Sequence, residues 1–209
     1  MSAFLGQIHY WLYNKIQLHE KLIREIAAVA KNYGDKSIDA ILDESYIRYG
    51  SPATGELEEE IEHANIHGWL QERITSVEMR LAYVITEILK KNLLGKDDIT
   101  IVFKQNAADL ARKIDISENS PQGLFNKVFD YMLEGMPCDR VNEIIENNET
   151  NITWKTTFCL HKDYWDEAGG DVENFYHFRG AWINSFLTES KSGYVYNRTE
   201  AAYNTIKRM

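Results

Sequence analysis

The stretch ELEEEIEHANIHGWLQERITSVEMRLAYVITEILKKNLL, Glu56 to Leu94, decides the fold. It contains no proline, and residues that favour helices dominate it. Read as one helix, its ~39 residues would run roughly 58 Å, longer than the ~43 Å diameter expected of a compact chain of this length. The helix therefore has to break, kink or protrude. Gly68 is the expected break, because the apolar stripe changes side there: Leu57, Ile61 and Ala64 mark one face before it, and Leu70, Ile74, Val77, Leu81, Val84 and Ile88 nearly the opposite face after it. A kink, or a second apolar face offered to a partner chain, would bury both stripes.

Working outward, Phe4, Ile8, Trp11, Leu12, Ile16, Leu22, Ile23, Ile26 and Val29 fall on one side of a helix from Ala3 to about Ala30. A second helix spans Ser37 to Tyr49, with Asp35 as its cap and Gly50-Ser51-Pro52 as its stop. Further helices are predicted over Gln105–Ile114, from Ser120-Pro121 to Leu133, over Asp139–Glu146, from Asp171 to about Leu187, and after a Thr199 cap. Ile152 to His161 alternates as a strand does. The β-branched run Ile99–Phe103 reads either as its partner or as the opening of the next helix. The expected fold is mainly α: a helical bundle with a long, kinked central helix and a small two-stranded β element packed on it. One domain covers residues 1–209, with a bundle core over 1–134 and an α+β part over 135–209.

Composition narrows the function classes. Of the 209 residues 44% are hydrophobic and 26% charged, close to ordinary globular values. Lys15, Glu20, Lys21, Arg24 and Glu25 interrupt the N-terminal apolar stretch, so neither a spanning helix nor a secretion signal is expected. A net charge of -9 without a basic stripe disfavours nucleic acid and anionic membrane surfaces as partners. Cys138 and Cys159 are too few for a disulfide framework, which together with the missing signal predicts free thiols and a cytoplasmic location.

Four constellations could carry chemistry. Glu59, His63 and His67 recur at every fourth position, so one helix would stack a carboxylate and two imidazoles on one face, and Glu60-x-x-His63 has the form used by di-iron bundles. Only one such motif occurs, short of the ligand sets of ferritin-like and haemerythrin-like bundles, which leaves a single divalent ion, zinc, manganese or iron, or else a solvated acidic helix end. Cys159-x-His161-x-Asp163 at period two would line a thiol and an imidazole along a strand, as zinc ligands or as a nucleophile and its base, although same-face neighbours are ~6.5–7 Å apart. Cys138 beside Pro137 is a lone thiol at a helix start. Lys15 and His19 lie inside the apolar stripe of the first helix, where two basic groups are costly unless they line a pocket for a carboxylate or phosphate, or the histidine is satisfied within the core and the lysine snorkels to water.

There is no P-loop, no glycine-rich dinucleotide motif, no Gly-x-Ser-x-Gly, no His-Glu-x-x-His and no Cys-x-x-Cys. The first expectation is a protein that binds a small-molecule ligand or a single metal ion in a pocket between helices, and, if it is an enzyme, a metal-assisted hydrolase or lyase. The second is a non-catalytic interaction module or structural homodimer. The third is a Cys159–His161 thiol enzyme.

Overall fold

The computed structural model describes residues 4–32, 37–114 and 119–209. Ala3 and the expected cap Asp35 lie outside the described residues. Among them helix predominates: α1 Gln7–Asn32, α2 Ser37–Tyr49, α3 Leu57–Glu60, α4 Ile66–Lys90, α5 Lys96–Ala111, α6 Pro121–Phe129, α7 His161–Glu167 and α8 Val172–Glu189. Four strands, β1 Asn142–Asn147, β2 Asn151–Thr156, β3 Tyr194–Arg198 and β4 Tyr203–Arg208, form one antiparallel sheet in the order β1-β2-β4-β3. No helix among the described residues is long and apolar enough to cross a membrane.

The long tract solves its length problem by stopping and restarting. Residues 61–65 leave the helix, and Asn65 caps α4 by accepting the Gly68 N–H at 3.2 Å. A side chain at 68 would stand 2.1 Å from Asn65 Nδ2, so Gly68 marks a capped helix start rather than a kink. The break re-aims the two stripes into one core: Leu57, Ile61, Leu70, Ile74, Val77 and Leu81 are all buried in the same cluster. Ala64, at the end of the first stripe, stays exposed.

The run Ile99–Phe103 is helical. Asp98 accepts the Gly95 N–H at 2.8 Å, which fastens the first turn of α5. Burial then follows the helical period: Ile99, Val102 and Phe103 are interior and Ile101 is 63% exposed, whereas a strand would have sent Ile101 to the same side as Ile99 and Phe103. The expected helices at Asp139–Glu146 and after Thr199 are a 3₁₀ turn followed by β1, and a hairpin. Thr199 donates its N–H to the Tyr203 carbonyl at 2.9 Å, closing the turn between β3 and β4. The sheet therefore has four strands rather than two. Its centre is β2, which ends at Thr156 instead of reaching His161. Trp154 of β2 meets Phe125 and Phe129 of α6 edge-on, with ring centroids at 4.9 and 5.8 Å, and this aromatic seam holds the sheet on the helices.

One ion pair fastens the two longest helices. Arg80 of α4 donates both terminal nitrogens to the Glu20 carboxylate of α1, one at 2.7 Å, with both side chains inside the core. Glu20→Leu alone strands the guanidinium and is expected to cost ~3–5 kcal/mol in urea unfolding. Adding Arg80→Met to it should restore most of that loss.

Candidate functional site

Four charged side chains from four segments meet in the interior. Glu78 comes from α4, Glu134 from the turn after α6, His161 from the first position of α7 and Arg179 from α8. His161 Nδ1 is 3.3 Å from Glu78 Oε2, and its Nε2 is 3.5 Å from Glu134 Oε1. Arg179 donates to the other oxygen of Glu134 and sets Nη1 3.4 Å from His161 Nε2. Phe175 stacks on the imidazole at 3.8 Å between centroids. Burial alone would discharge the ring, but Glu78 and then Glu134 hold the proton and push its pKa up to about 9. With the ring protonated, neither Arg179 nor His161 can accept from the other, and both point their protons at Glu134. Burial opposes the charge on Glu134 too, yet Arg179 and His161 outweigh it and bring its pKa down to about 2. Glu78 is also lowered against its burial, mainly by His161. Two anions and two cations thus balance within the cluster.

Lys15 stands beside this balanced set without a counter-charge of its own. It is 3% exposed, and its ammonium lies 3.3 Å from the centre of the Trp11 ring. Among the described residues it makes no hydrogen bond and no salt bridge. Burial brings its pKa down to about 7, while Asp130 and Glu134 pull upward and Arg179 pushes down. Asp130 accepts the Trp11 indole N–H at 3.2 Å, which fixes the ring under Lys15, and its other oxygen is 3.6 Å from Lys127.

Lys15, Trp11, Phe129, Glu134, Arg140 and Asn142 line a cleft of about 170 Å³ between α1 and the segment that leads into β1. That is room for roughly six waters at their liquid volume. The rim is shaped by two left-handed residues. Gly135 sits at φ 68°, where a Cβ would approach Asp139 Oδ2 to 2.4 Å. Arg140 adopts φ 49°, ψ 43°, a conformation costing ~1–2 kcal/mol for a side-chain-bearing residue, and its guanidinium makes no hydrogen bond or salt bridge among the described residues. On the inner side of the cluster, His19, Asn106, Tyr131, Phe175, Arg179 and Trp182 border a cavity of about 30 Å³, enough for a water molecule. His19 donates from Nδ1 to the Lys15 carbonyl at 2.9 Å, and its pKa is lowered by burial, so Nε2 is left as an acceptor.

The other sequence candidates are placed elsewhere. Because α3 ends at Glu60 and α4 begins at Ile66, Glu59, His63 and His67 do not share a helical face, and all three are exposed. His63 Nε2 is 3.2 Å from the Glu58 carbonyl. His67 Nε2 is 3.2 Å from His9 Nε2. Since the Gly6 N–H occupies His9 Nδ1 at 2.9 Å, His9 carries its proton on Nε2 and donates it to His67. Among the described residues no three His, Cys, Asp or Glu side chains are grouped to hold a metal ion. Cys159 lies in a turn, not a strand, and accepts from the Tyr176 hydroxyl at 2.8 Å and the Lys162 N–H at 3.2 Å. Both ring nitrogens of His161 face the carboxylates instead, so the two do not form a thiol and base pair. Cys138 is exposed.

Glu78, Glu134 and Arg179 were missed by the sequence reading. Glu78 follows Ile74 by four and precedes Leu81 by three, and Arg179 sits the same way between Phe175 and Trp182, so each interrupts an apolar stripe as Lys15 does.

The pKa directions fix a pH dependence. His161 is raised from 6.5 to about 9, so its contribution to stability is full below 6.5 and lost as pH rises through about 9. Glu134 is lowered from 4.5 to about 2, so its share is full above 4.5 and lost as pH falls through about 2. Lys15 opposes the alkaline loss, because the cost of burying its charge is relieved between about 7 and 10.5. Lys15→Met is therefore expected to lose thermal stability between pH 6.5 and 9 more steeply than the parent, and a Lys15→Met, His161→Gln double variant to show a flat profile over that range. Comparison of the chain with known protein families, curated proteins and solved structures yields no match.

Proposed function

We propose that this protein binds a small organic anion in the cleft between α1 and the segment entering β1, with Lys15 and Arg140 as the charged contacts. The observation that supports this reading is Lys15, a buried residue whose ammonium opens on the cleft and makes no hydrogen bond or ion pair among the described residues. A buried cation without a partner is costly, and a bound carboxylate or phosphate would remove that cost. Glu134, whose two oxygens Arg179 and His161 already engage, favours the Lys15 charge without offsetting its burial. Asp130 is shared between Trp11 and Lys127. Trp11 and Phe129 supply the apolar wall that a small organic body needs. The buried cluster behind them fixes Glu134 and so fixes the floor of the cleft.

Titration calorimetry with lactate, pyruvate and inorganic phosphate tests the reading and separates carboxylate from phosphate. Lys15→Met and Arg140→Ala are each expected to weaken binding at least tenfold. Binding should also weaken as pH rises above about 7, where Lys15 loses the charge that the anion needs. Equal affinity in both variants, or none for any of the three anions, would overturn the reading.

A further inference from the structure

Among cations in this molecule, Lys15 differs in kind from those on the surface. Lys21, Lys31, Lys90, Lys91 and Lys127 each have a carboxylate within ion-pair distance and substantial exposure. Lys15 has a wall of Trp11 instead, lies inside the protein, and faces the cleft. The Trp11 face favours the ammonium, but burial disfavours its charge, so it gives up its proton more readily than one in water, and a neutral amine is a nucleophile. The charged groups around it are Asp130 and Glu134, which favour the proton, and Arg179, which disfavours it; burial outweighs them. Arg140, on the same cleft, carries a planar guanidinium that can hold a carboxylate through two parallel N–H donors.

We infer that Lys15 forms a reversible imine with the carbonyl carbon of a small 2-oxo acid whose carboxylate is held by Arg140. This rests on the anion-binding reading and adds to it the chemical class of the ligand. The step balances without an outside oxidant or reductant. The Nζ lone pair attacks the carbonyl carbon, the C=O π pair moves to oxygen, and the proton released from nitrogen is taken up there. The resulting carbinolamine expels its hydroxyl group with a proton as water while the C=N bond forms. Hydrolysis runs the same path backwards. Trp11 and Phe129 line the cleft beside the adduct.

The test is reductive trapping on the full chain. Pyruvate and glyoxylate are offered with cyanoborohydride, which reduces a C=N bond to a stable secondary amine, and the modified residue is mapped by peptide mass spectrometry. Lys15 is expected to carry the adduct at least tenfold faster than Lys90 or Lys155, at a rate that rises through pH 7 and then levels. Lys15→Arg, which keeps the charge and most of the packing, should leave no adduct at 15, and Arg140→Ala should slow trapping at low ligand concentration. If lactate still binds by calorimetry but Lys15 is labelled no faster than Lys90, the imine inference is overturned and the anion site stands. If neither lactate nor pyruvate binds, both fall.

Discussion

The constraint on which the rest of the structure depends is charge balance in the interior. Glu78, His161, Glu134 and Arg179 come from four separate parts of the chain, and none of the four could be buried alone without a large desolvation cost. Together they hold two positive and two negative charges at hydrogen-bonding distance. The cluster thereby ties α4 and α8 of the bundle to the turn after α6 and the start of α7, which flank β1 and β2 in sequence. Removing any one member would leave its partner uncompensated, so the tie is specific about which segments may meet.

The same balance makes Lys15 an exception. Its carboxylate neighbours are already committed, its ammonium rests on an aromatic face, and the space in front of it is a cleft rather than protein. Two strained or left-handed residues, Gly135 and Arg140, bend the chain around that cleft. The proposed anion site draws on that cleft and that cation, and the proposed nucleophile on the lowered proton affinity of the amine.

Part of this was legible from residue spacing. The amphipathic stripe of α1, the helical character of Glu56–Leu94, the Ser120-Pro121 start of α6 and the aromatic face of α8 are local patterns, and the helices follow them. Lys15 and His19 stand out in the α1 stripe because a basic group at an interior position costs free energy wherever the stripe is buried. Glu78 and Arg179 break their stripes in the same manner, so that signal extended beyond the helix where it was read. Glu134 sits in a turn with no stripe around it, and nothing local marks it.

Other readings failed for a single reason: a short segment takes its state from what packs on it. Ile99–Phe103 has the residues of a strand, but the Asp98 carboxylate that accepts the Gly95 N–H and the facing aromatic side of α8 make it a helix. The fourfold spacing of Glu59, His63 and His67 counts only if the helix is unbroken, and the Asn65 cap breaks it. By itself the sequence determined that the chain is helix-rich, where its long helices lie and that Lys15 falls within the apolar stripe of α1. The tertiary structure decided which carboxylates meet His161 and Arg179, and that Lys15 has none within ion-pair distance among the described residues. Charge pairing depends on distances across the fold, between residues as far apart as Glu78 and His161, and no periodicity along the chain encodes those distances.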